Sequence, residues 1–331
     1  MSNFPARPGV TLEDVAKAAG VSRSQASRAL RNDPGVRSDT KAHILTTAAS
    51  LNYTPNLAAQ TLASRQSRSI GLVVGDVLNP YEAMLARECD KALRDAGYFA
   101  MLAVSGTAAT LRAFIDQRIA GLVLIGAPGE REEIAAVSKL LPTVYIGRNL
   151  AEEMVESVSS DDALGARLAT EFLLGLGHRA IAHITGGTGA GANSRANAYR
   201  DTMQRHGLKP IIAEGRYDVD AGSAATDALM ARKDRPTAIF AANDLIALGV
   251  ISRLAGHGFR VPDEVAVVGF DDIPMAASEP ISLTTIRQKV PDMVAAAVET
   301  LTTRLNEPSA PIRNLVIAPE LIVRRSSGLQ I

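Results

Sequence analysis

The chain of 331 residues has a single cysteine, Cys89, which excludes an internal disulfide and fits a reducing compartment. Its five histidines are dispersed, with no His-x-x-x-His pair and no second cysteine to hold a metal, so no metal site is expected. No Walker phosphate loop and no G-x-S-x-G nucleophile elbow occurs. Tryptophan is absent, which removes the commonest stacking platform for sugars without excluding a sugar ligand. The opening "MSNFPARPGV" lacks the apolar core of a signal peptide. No apolar run reaches the roughly 18 residues a membrane span needs. A cytoplasmic protein without a membrane partner is expected. Net charge is also lacking, with 35 basic residues against 35 acidic.

That balance hides an asymmetry. Residues 1–69 carry nine Lys and Arg against four Asp and Glu, an excess of five bases, so the remainder carries an excess of five acids. A basic head on an acidic body points to a polyanion partner for the head alone. The head contains "TLEDVAKAAGVSRSQASRAL" at 11–30. Thr11 can cap a first helix, with Asp14 three residues on, and Gly20 can end it in the left-handed conformation. Ser22 then caps a second helix, Gln25 stands at its capping-box position, and Val21 and Ala26 form a hydrophobic staple. A third helix is expected from a Ser38 cap to about Leu51. Two short helices around so tight a turn make a helix-turn-helix, whose second helix enters the DNA major groove. Arg23, Ser24 and Arg28 are its outward residues, and arginine suits bidentate contact with guanine. Thr11, Ser22 and Ser27 are placed for phosphates.

"TLEDVAKAAGVSRSQASRAL", followed by "LNYTPNLAAQTLASRQSRSIGLVV", resembles the N-terminus of the LacI–GalR family of bacterial transcription regulators. The resemblance continues through "SSDDALGARLATEFLLGLGHRAIAHI", "PTAIFAANDLIALG", "VPDEVAVVGFDDIP" and "LTTIRQ". It implies a DNA-binding head, a hinge and an effector-binding core. It also implies that the hinge "TPNLAAQTLASRQSRS" folds on DNA, with Leu62 matching a leucine that wedges into the minor groove and Asn56 and Ala59 matching groove-facing neighbours. An apolar wedge between base steps kinks the duplex.

From Ser69 the pattern changes. "IGLVV", "YFAMLAV", "GLVLIG", "TVYIG", "AIAHIT", "AIFAA" and "VAVVGF" read as buried parallel strands. Helical stretches fall between them, among them Tyr81–Ala96, Leu164–Leu174 and Leu245–Ala255. The expected architecture is an all-α helix-turn-helix domain at 1–54, a hinge helix and linker at 55–68, and an α/β body at 69–331. The body divides into two parallel-sheet lobes, and the resemblance implies a periplasmic-binding-protein-like crossover. It gives lobe one residues 69–160 with 289–317, and lobe two residues 161–288 with 318–331.

Ligands of such sheets bind beyond the carboxyl ends of the strands. Those ends supply Asp76, Asn79 and Tyr81 after the first strand, Ser105 after the second, and Arg148 after "TVYIG". "AIAHIT" leads to Arg195, "AIFAA" to Asn243 and Asp244, and "VAVVGF" to Asp271 and Asp272. An Asp after a strand also caps helices, and Asp244 and Asp272 are read as caps. The resemblance matches Arg195, Asn243 and Asp271 to effector contacts and Tyr81 to an aromatic wall. The candidate cleft residues are Asn79, Tyr81, Arg148, Asp161, Arg195, Asn243 and Asp271. Carboxylate, amide and guanidinium groups together suit a polyhydroxylated effector, and a sugar is the family expectation. The chain departs from the family in a shorter segment between Val104 and Arg118. It departs again at Gly147–Arg148, where many members carry an acid before the arginine.

A rival reading starts from "HITGGTGAGANS". Gly187, Gly189 and Ala192 match a dinucleotide fingerprint, and Glu214 follows 22 residues past Ala192. Alone, Gly187–Ala192 would suggest an NAD-binding protein or dehydrogenase, but no catalytic His or Lys stands out beside it. A transport binding protein would explain the body but not the head. The sequence therefore points to a non-enzymatic repressor without a cofactor, a homodimer on a near-palindromic operator, controlled by a small polar effector.

Overall fold

The computed structural model describes residues 10–30, 32–53, 67–104, 108–126, 131–150 and 154–328. The chain forms two compact units, one ending at Ser67 and the other beginning at Arg68.

The first unit is three helices: α1 (Leu12–Ala18), α2 (Arg23–Leu30) and α3 (Ser38–Ser50). The Asp14 amide donates to Thr11 Oγ1 at 3.3 Å and the Thr11 amide donates to Asp14 Oδ2 at 2.8 Å, closing a reciprocal cap. Gly20, at φ +65°, turns the chain from α1 toward α2, a conformation that strains any residue with a Cβ. Ser22 Oγ accepts from the Gln25 amide at 3.2 Å. The core is Val15, Ala16, Ala26, Ala29, Ile44 and Ala48, mostly alanines, so the three backbones pack closely. Arg37 occupies the N-cap position of the third helix without a side-chain capping bond, and the expected cap Ser38 is its first helical residue.

The second unit has two lobes, each with a six-stranded sheet. Lobe one begins β1 (Ser69–Val74), α4 (Pro80–Asp95), β2 (Phe99–Val104), α5 (Ala108–Asp116), β3 (Gly121–Ile125), α6 (Arg131–Ser138), β4 (Thr143–Ile146) and β5 (Glu156–Ser160). Lobe two follows as α7 (Asp162–Gly175), β6 (Ile181–Ile184), α8 (Ala190–Arg205), β7 (Ile211–Ala213), α9 (Val219–Met230), β8 (Ala238–Ala241), α10 (Asp244–Gly256), β9 (Ala266–Asp271) and β10 (Thr284–Arg287). The chain then returns to lobe one as α11 (Val290–Asn306) and β11 (Asn314–Ile317), and ends in lobe two with β12 (Glu320–Ile322).

Strand order is β11-β5-β4-β3-β1-β2 in lobe one and β12-β10-β9-β8-β6-β7 in lobe two, every pairing parallel except β10 with β12. The central strands are buried on both faces, which is why β3 (GLVLI) and β8 (AIFA) are continuously apolar. Buried β5 (ESVSS) breaks that pattern. Its Glu156 accepts from Arg304 Nη2 at 3.0 Å, and its Ser157 hydroxyl bonds Asn314 Oδ1 at 2.5 Å, so tertiary partners satisfy a strand that carries little hydrophobicity.

The chain passes between the sheets three times, after β5, β10 and β11. The first and third crossings touch, since the Asp161 amide donates to the Ile317 carbonyl at 3.0 Å.

Candidate functional site

In the N-terminal unit, Ser22, Arg23 and Ser24 are exposed at the start of α2, with Ser27 and Arg28 half-buried further along. Thr11 is exposed, its hydroxyl donating to Asp14 Oδ2 at 2.7 Å. Arg23 lies only 4.0 Å from Glu13, a solvent-exposed pair of little strength. Arg28 differs: its Nε and Nη2 donate to Asp33 Oδ2 and Oδ1 at 3.1 and 3.2 Å, a two-pronged ion pair within the unit. The hinge candidates Asn56, Ala59 and Leu62 lie outside the described residues, as does Ser105.

In the body, a cavity of about 350 Å³ is lined by both lobes. The parallel strands point their carboxyl ends at it, and residues just past those ends form its walls. Lobe one contributes Asn79, Tyr81 and Glu82 from the start of α4, and Tyr145, Gly147 and Arg148 from the end of β4. Lobe two contributes Asp162, Arg195, Tyr217, Asn243 and Asp271, and Gln288 comes from the second crossing. Six of the seven expected cleft residues therefore meet here. The seventh, Asp161, does not line the cavity: its carboxylate accepts from the Leu164 amide at 2.8 Å and caps α7. Its neighbour Asp162 faces the cavity instead, because the helix begins one residue later than a pocket-lining Asp161 requires.

Arg195 organises the lobe-two wall. Its Nε donates to Asp162 Oδ1 at 2.8 Å with Nη2 in ion-pair contact with the same oxygen at 2.7 Å, and its Nη1 donates to the Ala242 carbonyl at 2.5 Å. Asp271 Oδ1 is 4.0 Å from Nη1, and the guanidinium lies 3.5 Å above the centre of the Phe270 ring. Burial alone would lower the pKa of this arginine, but Asp162, Tyr217 and Asp271 outweigh it and hold the charge in place. A second chain of bonds joins the lobes. Tyr81 donates from its hydroxyl to Gln288 Oε1 at 2.8 Å, and Gln288 Nε2 donates to Asp271 Oδ1 at 2.7 Å. Asp271 adopts φ +117°, a conformation that L-residues rarely take and that marks a position over-determined by its surroundings.

Burial also sets the remaining charges. Burial pushes the Asp271 carboxyl up, opposed by Arg195 and the Gln288 bond. Glu82 is raised to about 6 by burial, opposed by the Asp76 amide that donates to its Oε2 at 2.8 Å. Its carboxylate packs against Gly126, where a Cβ would overlap it, and close to Gly75, where a Cβ would overlap the Gly126 carbonyl. Asp244 is buried and held well above the ordinary carboxylate range by burial and by Asp271.

Two further expectations are corrected. Asp244 is not the cap of α10. Asn243 is, accepting from the Ile246 amide at 2.9 Å through Oδ1, which leaves its amide nitrogen for the cavity. Asp244 instead accepts from Thr285 Oγ1 at 2.6 Å and from the Ile273 amide at 2.9 Å, pinning the loop after β9. Asp272 accepts from Arg287 Nε and Arg324 Nη2, each at 2.6 Å, and caps no helix. Sequence reasoning missed Glu82, Tyr145, Asp162, Tyr217 and Gln288. The last stands in the quoted "LTTIRQ", so its signal was in plain view. Glu82 stands in the first turn of α4, where an acid is common for reasons of the helix alone.

The glycine loop does join β6 to α8, with Gly187 at φ +92° and Gly189 as the N-cap. Gly189 and Gly191 line the cavity. A Cβ on Gly191 would stand 3.0 Å from Asp162 Oδ2, so a carboxylate already faces the start of α8. A dinucleotide pyrophosphate would need that position, and the two negative groups repel. Glu214 Oε2 accepts from Thr185 Oγ1 at 3.2 Å. Among the described residues no group of His, Cys, Asp and Glu is arranged to hold a metal, and no helix is long and apolar enough to cross a membrane.

Comparison with known proteins agrees with this geometry. Residues 11–56 match the bacterial regulatory proteins of the lacI family, and residues 170–327 match a periplasmic binding protein-like domain. The ribose operon repressor of Escherichia coli (strain K12) is 30% identical over 328 residues, covering 96% of this chain and 99% of that one. The probable HTH-type transcriptional repressor ExuR of Bacillus subtilis (strain 168) is 30% identical over 327 residues, covering 96% and 98%. The lac repressor dimer bound to operator and the anti-inducer ONPF superposes with a TM-score of 0.86 at 26% identity, covering 96% and 98%. The transcriptional regulator CelR in complex with cellobiose gives 0.72 at 29% identity, covering 96% and 100%. These relatives are named repressors and regulators rather than dehydrogenases, so the dinucleotide reading is not supported. With such identity along nearly the whole of both chains, the protein belongs to the lacI family of bacterial regulatory proteins and is a DNA-binding transcriptional regulator.

Proposed function

We propose that the protein is a cytoplasmic, homodimeric repressor of a near-palindromic operator, released or retained by a small polyhydroxylated effector in the interlobe cavity. It needs no cofactor and carries out no catalysis. One helix-turn-helix covers a short half-site, and two-fold protein symmetry suits two such half-sites. Arg23, Ser24 and Arg28 read bases, while Thr11, Ser22 and Ser27 bond phosphates. Asn56, Ala59 and Leu62 of the hinge enter the minor groove.

The observation that carries the effector half is the meeting of Arg195, Asn243 and Asp271 from lobe two with Asn79, Tyr81 and Arg148 from lobe one around one cavity. Paired donors and acceptors on both walls fit adjacent hydroxyls, and tyrosine faces supply the stacking that tryptophan would. A ligand gripping both walls favours the closed arrangement of the lobes. Closure moves lobe one, whose first strand begins at Ser69, where the hinge joins the body. By linkage, an effector that changes DNA affinity has its own affinity changed by DNA by the same factor.

The test is one titration series: operator selected from random DNA, bound by intact protein with and without a panel of sugars and sugar acids. A shift in operator affinity with one sugar class supports the reading. Failure to select any operator sinks it.

A further inference from the structure

Arg28 is already paired before any DNA arrives. Its Nε and Nη2 form a side-on fork with the two carboxylate oxygens of Asp33. Asp33 is itself held, because its Oδ1 accepts from the Gly35 amide at 2.8 Å. Gly35 lets the guanidinium lie against the turn, since a methyl there would overlap Arg28 Nη2. The Arg28 side chain keeps 43% exposure, so the pair is not sequestered. Helical spacing puts Arg28 on the same face as Ser24, one turn on.

A guanidinium offers five N–H donors in a planar fork. The Asp33 pair takes Nε–H and the adjacent Nη2–H. One Nη1 proton and the second Nη2 proton stay free on the adjacent, end-on edge, in the spacing that matches guanine O6 and N7. From this geometry we infer that Asp33 is a positioning residue for operator recognition, holding Arg28 so that its end-on edge reads a guanine in each half-site. Such a pair limits rotation of a long side chain, so less entropy is lost when the base contact forms. Arg23, with its loose and exposed partner, has no comparable support. The inference rests on the DNA-binding reading of α2 and adds to it a residue that need not touch DNA.

The experiment compares wild type, Arg28→Ala, Asp33→Asn, Gly35→Ala and the Arg28→Ala/Asp33→Asn double variant, each as the full chain. Base preference at every operator position and affinity for unrelated DNA are measured at one salt concentration. Asn at 33 keeps an acceptor for the Gly35 amide, so the turn stays intact. Asp33→Asn and Gly35→Ala are expected to lose the guanine preference that Arg28→Ala loses, with preferred-operator affinity falling about 10-fold. Affinity for unrelated DNA should hold or rise in Asp33→Asn, because a negative charge beside a polyanion has gone. The double variant should be no worse than Arg28→Ala alone.

Unchanged base preference in both Asp33→Asn and Gly35→Ala overturns the inference. So does an equal loss on operator and unrelated DNA, which would make the pair a structural staple. If wild type selects no operator, the regulator reading itself fails and this inference falls with it.

Discussion

Arg195 and Asp162 meet at a single oxygen, Nε donating to Oδ1 at 2.8 Å while Nη2 lies 2.7 Å from the same atom. The side chains are only 8% and 13% exposed, so this partner is the main compensation for a buried charge. Asp162→Ala should therefore cost the body roughly 3–5 kcal/mol, the usual result of leaving a buried charge with one partner removed. Urea unfolding of the variant checks this, and a loss under 1 kcal/mol would mean that water or Asp271 substitutes for Asp162.

Gln288 tests whether the lobes communicate through Tyr81 and Asp271. Gln288→Ala leaves a buried phenol and a buried carboxylate each short of a partner, at a cost of about 1–3 kcal/mol. Effector affinity should fall while operator affinity in effector-free solution stays near wild type. Equal weakening of both would place Gln288 in general stability rather than in the cavity.

Glu82 gives the pH dependence a sign. Its carboxyl moves from 4.5 to about 6 in the fold, so the folded state binds its proton more tightly than the unfolded chain does. The stabilisation is full below 4.5 and is lost as pH rises through 6. Above that window the ionised group costs roughly 2 kcal/mol. Glu82→Gln should accordingly stabilise the body at pH 8 by up to that amount and make no difference at pH 4. Thermal melts at the two pH values decide the matter.

Arg195→Ala and Asp271→Ala should each abolish the response of operator binding to effector. Operator binding in effector-free solution should stay as in wild type. Fluorescence anisotropy of labelled operator, with and without the active sugar, reads both quantities. An intact response in both variants would move the effector out of this cavity.

The hinge and head carry two further expectations. Leu62→Ala should weaken operator binding and reduce bending, read by energy transfer between dyes on the operator ends, with effector affinity unchanged. The basic head should also lose affinity steeply with salt, by about 10³ or more between 50 and 200 mM if it neutralises six or more phosphates. A flat salt response would remove the electrostatic basis for reading the head as a DNA binder.

Seven strands were legible because their residues are apolar on both faces, and the sheets form from those runs. Polar β5 was invisible to that criterion, since Glu156 and Ser157 find their partners in Arg304 and Asn314, some 150 residues away. Helix caps were legible where the bonds are local, as at Thr11 and Ser22. They failed by one residue at Ser38 and between Asn243 and Asp244, where neighbouring residues compete for one role. Arg195, Asn243 and Asp271 were found from the resemblance. Glu82 could not be, because its place in the cavity depends on Gly75 and Gly126 leaving room for its carboxylate.

The three passages of chain between the lobes have a mechanical consequence. One strand of polypeptide between two bodies acts as a swivel and lets them twist, bend and slide. Three passages, two of them bonded through Asp161 and Ile317, act as a door hinge with one axis. Free energy from a ligand in the cavity is then directed into opening or closing rather than spread over several motions. The whole chain permuted to begin at residue 318 and end at residue 317, with a long flexible tether between the old termini, would lack the third passage. It should bind its ligand with similar contacts yet transmit the event poorly to DNA.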